Sequence, residues 1–181
     1  MTLEELVIAA VRVAGSLVVL RYAFVGGIVA VLTDFSDLFL MNLLHLGGVR
    51  DYQNFDKLLD QVYMVTFLIV ALRWAPRTRA IAVFLYAYRM VGFVLFELTE
   101  WRPIMFVFPN VFEFWFLFVA SLPHWRRDWA FTARNVTLAL LPLTALKLFQ
   151  EYVLHVARWL DGFSAVEAVQ AIWDWCTAPF R

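Results

Sequence analysis

Long apolar stretches fill the chain from its first turn almost to its end, separated by short polar or proline-containing segments. Several lie close to the ~20 residues that a helix needs to cross a bilayer. We therefore predict an all-α fold, a polytopic membrane helical bundle, with residues 1–181 in one transmembrane domain. The predicted elements are a peripheral helix over 3–20, five spans over 22–46, 56–73, 79–98, 104–122 and 130–158, and an interfacial helix over 164–176.

Capping signals and prolines refine the helix ends. Thr2 followed by Glu5 fits a capping box at the N-terminus, and Ser164 with Glu167 fits a second one before the interfacial helix. Pro142 is expected to kink the last span. Residues 1–46 form either one long tilted helix or two helices with a bend near Gly26-Gly27.

Composition supports membrane insertion. Hydrophobic residues make up 63% of the chain and the mean hydropathy is +0.73, whereas about half of the residues are apolar in an ordinary soluble domain. The zero net charge gives no reason to expect a nucleic-acid partner. The single cysteine, Cys176, excludes an internal disulfide and a cysteine-based metal site.

Loop charges predict the orientation in a cell membrane. Two loops, 73–79 and 123–134, carry three arginines each and only one acid between them. The positive-inside rule places both loops in the cytoplasm. The loops near 47–56 and 98–103 mix both signs and are expected to face outward.

Charged side chains inside the apolar stretches are the main functional candidates. Placing an ionised side chain in lipid costs several kcal/mol of free energy unless the group is paired or hydrated, and a group that is kept there often has a functional role. We therefore expect these groups and one buried amide to converge on a shared polar cavity. Its predicted lining is Asp34, Asp37, Arg89, Asn110, Glu113, Lys147, Glu151 and His155.

Asp34 and Asp37 lie at i and i+3, on one face of a helix. Paired carboxylates can hold a hard cation, bind a cationic headgroup or share a proton. Together with His155 they are the predicted catalytic residues, acting as acid–base groups or headgroup ligands. The alternative is a structural ion pair with Arg89 or Lys147.

Asp56 and Asp60 lie at the start of the next predicted span, where solvated acids suit the helix dipole. If the preceding helix runs to Leu46, Asp37 lies about 14 Å from its end, whereas Asp60 lies about 6 Å inside its own helix, at ~1.5 Å per residue. A site of four aspartates is therefore expected only if the preceding helix ends soon after Asp37.

The spacing of Asp34, Asp37, Asp56 and Asp60 resembles the signature of the CDP-alcohol phosphotransferases. Where that signature has Gly, Ala-Arg and Gly, this chain has Leu38, Met41-Asn42 and Tyr52.

The stretch 32–40 also resembles the Asp-x-x-Asp segment of the TLC-type membrane proteins, which include the ceramide synthases. An aromatic- and arginine-bearing span follows it, as 61–73 does here, while Thr33 occupies the place of that family's histidine. Both resemblances imply a membrane protein that handles lipids.

The stretch from Lys147 to His155 is the most distinctive one. Lys147, Glu151 and His155 follow one another at steps of four, so the acid lies between a cation and a histidine on one helix face. The alternative is a structural ladder of i, i+4 pairs. This stretch resembles segments of uncharacterised bacterial multi-pass membrane proteins, and the same holds for Tyr88-Arg89 and Phe108-Pro109-Asn110.

Arg89 lies in the middle of a predicted span, so its charge requires an acidic ion-pair partner. The candidate partners are Asp37, Glu113 and Glu151. Asn110 and Glu113 share a helix face, and Pro109 before them is expected to free a carbonyl toward a cavity. The predicted substrate-binding residues are Arg89, Asn110, Glu113, Lys147, Gln150 and Glu151.

Three functions fit these residues. The first is binding or modification of a lipid or amphipathic substrate, with membrane lipid as the partner. The second is a small transporter or a proton or cation conduit that uses the same acids as a relay. The third is an accessory subunit of a membrane complex, or a homo-oligomer, whose buried charges only fix helix packing. The residues predict no metal site and identify no cofactor.

Overall fold

The computed structural model of the protein describes residues 2–44, 52–101 and 103–153, together with 157, 170–171, 173–174 and 177. Of residues 35, 37–44, 52–54, 56 and 57 it describes the backbone alone. Throughout this part of the chain the regular structure is helical and no strand occurs, so the predicted all-α class is confirmed there. The helices are α1 (Leu3–Val18), α2 (Ala23–Leu44), α3 (Tyr52–Ala71), α4 (Pro76–Thr99), α5 (Pro103–Val107), α6 (Val111–Trp125) and α7 (Ala133–Glu151).

Helix α1 begins at the predicted capping box, which is confirmed. The Thr2 hydroxyl accepts from the Glu5 N–H at 3.1 Å, and the Glu5 carboxylate accepts from the Thr2 N–H at 2.9 Å. Helix α1 ends at Val18, and the chain turns into α2, which packs against α1. The described part of the segment 1–46, residues 2–44, therefore contains two helices, and the turn precedes Gly26. A Cβ at Gly26 would lie 2.5 Å from the Val19 nitrogen, so only glycine permits this approach.

Helix α3 begins at Tyr52, one turn before the predicted start at residue 56. Asp60 therefore lies two turns inside α3, and the expectation of a first-turn position is wrong. Helix α4 begins at Pro76, whose fixed φ suits the first helical position. It ends at Thr99, and the next residue, Glu100, adopts the left-handed conformation with φ 54°.

The predicted span over 104–122 is two helices, α5 and α6, separated by residues 108–110. Pro109 has no N–H to donate to a preceding turn, which favours a break at this point. Two carbonyl groups next to the break accept side-chain hydrogen bonds. The Tyr88 hydroxyl donates to the Val107 carbonyl at 2.7 Å, and Arg89 Nη1 donates to the Phe108 carbonyl at 2.8 Å. The break thus leaves two carbonyl acceptors, of which the Phe108 carbonyl accepts a partly buried hydrogen bond and the Val107 carbonyl accepts an exposed one.

Helix α7 contains Pro142 and is followed by a short π-helical turn at residues 152–153. The end of the predicted last span and the capping box at Ser164 and Glu167 lie outside the described residues, as does most of the predicted interfacial helix over 164–176.

An aromatic core joins α3, α4 and α6. The rings of Phe67 and Phe116 stack with centroids 4.0 Å apart, and Phe112 contacts both Phe67 and Tyr86. Phe67, Phe112 and Phe116 are fully buried. This core fixes α6 against α3 and α4. It thereby positions the polar side chains that lie next to the core on these helices.

Two described stretches are long and apolar enough to cross a membrane, 76–99 and 103–125. The stretches 23–34 and 58–71 are apolar but shorter. Length and composition alone therefore support two candidate spans, and the prediction of five spans is not supported on these criteria.

Candidate functional site

Three charged side chains of α6 and α7 meet inside the bundle. Lys147 Nζ lies 3.3 Å from Glu113 Oε2 and 3.8 Å from Glu151 Oε1. It also donates to Gln150 Oε1 at 3.0 Å. Lys147, Glu113 and Glu151 are 5%, 7% and 3% exposed, so water does little to screen their charges. One ammonium group is thus shared between two buried carboxylates.

Arg89 adds a second cation from α4. Its Nη1 lies 3.8 Å from Glu151 Oε1 and donates to the Phe108 carbonyl at 2.8 Å. Glu151 therefore lies between Arg89 and Lys147. Of the three acids expected as partners of Arg89, the one that forms the ion pair in the described part of the chain is Glu151.

Asn110, just before α6, contacts both acids and the neighbouring helix. Its backbone N–H donates to Glu151 Oε1 at 3.4 Å, and its Nδ2 donates to Glu113 Oε2 at 3.3 Å and to the Tyr63 hydroxyl at 3.2 Å. Asn110 is 3% exposed, and its Oδ1 has no hydrogen-bond partner among the described residues. We call Arg89, Asn110, Glu113, Lys147 and Glu151 the α7 cluster.

A second charged group joins α1, α2 and α3. Arg12 of α1 pairs with Asp34 of α2, and its Nη2 lies 2.6 Å from Asp60 Oδ1 of α3. The Arg12 side chain is 3% exposed, whereas each of the two aspartate side chains is 29% exposed. We call these three residues the Arg12 cluster. Its cation is buried, while both carboxylates are partly accessible.

Tyr63 of α3 lies between the two clusters. Its hydroxyl accepts the hydrogen bond from Asn110 Nδ2. Tyr63 follows Asp60 of the Arg12 cluster by three residues, so both lie on one face of α3. Tyr63 therefore bonds to a residue of the α7 cluster and shares a helix face with a residue of the Arg12 cluster.

The two clusters and Tyr63 occupy one level of the bundle. The stacked pair Phe67 and Phe116 provides a common reference level for α3 and α6. Tyr63 and Asp60 lie one to two turns before Phe67 in the chain, and Glu113 and Asn110 precede Phe116 by a similar distance, about 5–10 Å at ~1.5 Å per residue. The polar groups therefore form a layer that crosses the bundle from α1 to α7, which we call the charged layer.

The structure brings together most, but not all, of the residues predicted to line one cavity. The six predicted substrate-binding residues Arg89, Asn110, Glu113, Lys147, Gln150 and Glu151 are neighbours. Asp34 belongs to the separate Arg12 cluster, so it does form an ion pair, as the alternative interpretation has it, but with Arg12 and not with Arg89 or Lys147. The Asp37 side chain and His155 lie outside the described part of the chain, and their predicted catalytic roles stay predictions.

Three members of the charged layer are not among the predicted site residues, although Asp60 belongs to the site of four aspartates considered above. Arg12 interrupts an otherwise apolar run, and this was a usable signal, but assigning the helix to the membrane periphery removed its significance. Asp60 was assigned to a solvated first turn because the start of α3 was placed too late. The sequence does not mark Tyr63 as a member of the site, since a tyrosine in an apolar helix is usually a packed core residue.

Within the described residues, no group of three or more histidine, cysteine, aspartate or glutamate side chains is arranged to hold a metal ion. The chain matches no protein-family model, no curated protein and no solved structure.

Proposed function

We propose that this is an integral multi-pass membrane protein that binds the polar part of a lipid or other amphipathic molecule at the charged layer. The observation that carries the proposal is the partial exposure of Asp34 and Asp60 at the level of that layer, in contrast to the burial of Arg12. Two accessible carboxylates at the same level as a buried ionic network give a polar headgroup a place to bind.

Membrane insertion is supported by an inside-out distribution of side chains. The interior holds Lys147, Glu151 and Arg12, while large apolar side chains face outward on several helices. The outward side chains include Leu32 on α2, Leu58 on α3, Phe84 and Leu98 on α4, and Leu141 and Phe149 on α7, each at least 60% exposed. Such faces are costly in water and favourable in lipid. They occur on more helices than the two long apolar ones, which favours a multi-pass arrangement.

The direction of the charged layer favours binding over conduction. A proton or cation conduit needs polar groups spaced along the helix axes, from one side of the membrane to the other. Among the described residues the charged layer instead runs across the helices and is about two turns thick, roughly 10 Å. The other buried charges there, Glu4 and Glu5, lie in the first turn of α1. Asn110 Oδ1 supplies a buried acceptor within it. The Asp34-to-Asp60 spacing resembles one lipid-handling family and the stretch 32–40 resembles another, and both resemblances favour the same choice.

The first experiment tests insertion and orientation. Single cysteines at Ala75 and at Glu100, placed in a Cys176→Ser background, report on opposite ends of α4 in intact cells. A membrane-impermeant maleimide should label the residue-100 cysteine and spare the residue-75 cysteine until the cells are lysed. Release of the protein from membranes by alkaline carbonate would overturn the insertion proposal, and the opposite labelling pattern would reverse the orientation.

The second experiment tests headgroup binding. Mass spectrometry of the purified wild type should detect co-purifying lipid, and Asp34→Asn/Asp60→Asn should lose most of it. Glu100→Gln is the matched control, because it neutralises an exposed carboxylate far from the charged layer and should retain the lipid. Thermal unfolding of both variants separates lost binding from lost folding. Equal lipid in wild type and a folded double variant would remove the headgroup role of the carboxylates.

A further inference from the structure

A second region of the molecule combines an apolar cavity with an excess of positive charge. It lies at the opposite end of the helices from the α5–α6 break, where residues 73–79 and 123–134 meet. Arg77 Nη1 donates to the Phe131 carbonyl at 2.6 Å and joins the two segments. We call this region the basic end. The arginines of the two segments are Arg73, Arg77, Arg79, Arg126, Arg127 and Arg134.

A cavity of about 480 Å³ opens at the basic end. Its walls are mostly apolar and come from the α3–α4 turn, the end of α6 and the segment before α7. Arg126 and Arg127 are its charged lining residues, and both are exposed. A neighbouring cavity of about 430 Å³ shares Arg126, Arg127 and Trp129. These volumes lie within the range of about 300–1,000 Å³ that is usual for ligand sites. The apolar lining residues of the larger cavity include Trp74, Val119, Leu122, Trp129 and Phe131.

The charges of the basic end are not neutralised locally. None of its six arginines forms an ion pair with a carboxylate among the residues that the structure describes. Asp128 is the only acid in the two segments, and it lies beside the two cavity arginines in sequence. An anion is therefore the complementary ligand, and a guanidinium group binds a phosphate with two parallel hydrogen bonds.

Three tryptophans place this cavity at the level of lipid headgroups. Trp74 and Trp129 line it, and Trp125 beside it is 76% exposed. Tryptophan concentrates at membrane–water interfaces, and arginines near the ends of spans attract anionic lipids. Polar arginines at the mouth and apolar side chains along the walls match the two halves of a phospholipid.

We propose that the basic end holds an anionic phospholipid, with its phosphate on Arg126 and Arg127 and part of an acyl chain in the apolar cavity. This inference rests on the membrane insertion proposed above, but it does not depend on binding at the charged layer. The site is separate from the Asp34 and Asp60 carboxylates and recognises the opposite charge.

Native mass spectrometry of the detergent-purified protein tests this site with defined lipids. In an equimolar mixture of dioleoyl phosphatidylglycerol and dioleoyl phosphatidylcholine, the wild type should retain phosphatidylglycerol in preference. Arg126→Gln/Arg127→Gln should bind it roughly thirtyfold more weakly, because each arginine near a membrane surface contributes about 1 kcal/mol toward an anionic lipid. Arg79→Gln/Arg134→Gln removes the same charge from exposed positions outside the cavity lining and should change binding less than threefold.

A cavity-filling pair of variants separates the acyl-chain role from charge. Ala75 lines the cavity and is exposed, so Ala75→Trp should block it without disturbing the core, and Ala80→Trp on the exposed face of α4 is its control. Loss of phosphatidylglycerol binding in Ala75→Trp, with binding retained in Ala80→Trp, supports the site. Retention in both Ala75→Trp and Arg126→Gln/Arg127→Gln would overturn it, as would displacement of the lipid by an equal concentration of inorganic phosphate.

The Asp34→Asn/Asp60→Asn variant distinguishes this proposal from the preceding one. It should keep its preference for phosphatidylglycerol while losing the lipid that binds at the charged layer. Loss of phosphatidylglycerol in this variant, with the arginines intact and the protein folded, would assign that lipid to the charged layer and overturn the proposal for the basic end. A wild type that alkaline carbonate extracts from membranes would overturn both proposals together.

Discussion

The α7 cluster and the Arg12 cluster use the same chemistry under different conditions. Each holds a buried cation between two carboxylates from different positions in the chain. In the α7 cluster, Glu113 and Glu151 are as buried as Lys147, whereas in the Arg12 cluster the two aspartates are 29% exposed and only Arg12 is buried. The same ionic pairing therefore occurs within one layer at two different degrees of carboxylate exposure.

The difference in carboxylate burial distinguishes a cluster that holds helices together from a cluster that a ligand can reach. In the α7 cluster the cation and both carboxylates are buried, so a ligand has little access to them. We expect the main effect of this cluster to be to fix α4, α6 and α7 against one another. Partly exposed acids are hydrated at lower cost, and an incoming group can contact them without breaking the interior. Our functional proposal depends on this contrast, and the following substitutions test it.

Lys147→Met should give the largest effect. It leaves Glu113 and Glu151 buried without their shared cation, and breaking a buried ion pair costs about 3–5 kcal/mol. Thermal unfolding in detergent, followed by tryptophan fluorescence, measures the loss. Arg79→Met is the control, because that side chain is exposed on α4.

Adding Glu113→Gln to Lys147→Met should recover part of the lost stability, since the amide removes one buried carboxylate charge, while Glu151 keeps its ion pair with Arg89. A Lys147→Met protein as stable as the wild type would contradict the packing role of the α7 cluster.

Arg12→Met should cost less, about 1.5–3 kcal/mol, the range for losing hydrogen bonds to charged groups. Asp34 and Asp60 are partly exposed, so hydration can compensate for part of the lost pairing. The same unfolding assay compares Arg12→Met directly with Lys147→Met. A loss as large as that of Lys147→Met would mean that the two aspartates are as inaccessible as Glu113 and Glu151, and the proposed headgroup site would lose its basis.

Tyr63→Phe should have the smallest effect, a destabilisation of about 1 kcal/mol. It removes the hydroxyl that accepts from Asn110 Nδ2, while Asn110 keeps its contacts with Glu113 and Glu151. A double-mutant cycle of Tyr63→Phe with Arg12→Met and with Lys147→Met measures how strongly Tyr63 couples the two clusters. Strict additivity with both variants would show that the clusters act independently.

Several features of the charged layer were predictable because they depend on one helix at a time. Lys147 and Glu151 lie at i and i+4, and Asn110 and Glu113 at i and i+3, so helical periodicity alone places each pair on one face. A local effect of Pro109 was predictable for the same reason, since proline acts on its own helix, but the division of the predicted span over 104–122 into two helices was not predicted. Which residues pair between helices did not follow from these patterns. The position of Asp60 depended on a helix start that was misplaced by one turn.

The sequence by itself determined the helical class, the N-terminal cap of α1 and the excess of charged groups in apolar stretches, because these follow from local propensity and composition. Only the tertiary structure decided that Asp34 pairs with Arg12 and that the charges divide into a buried and an accessible cluster. The physical reason is that an ion pair between helices depends on where each helix starts and how it packs on its neighbours. A shift of one residue along a helix rotates a side chain by about 100° and moves it by ~1.5 Å, which is enough to change its partner.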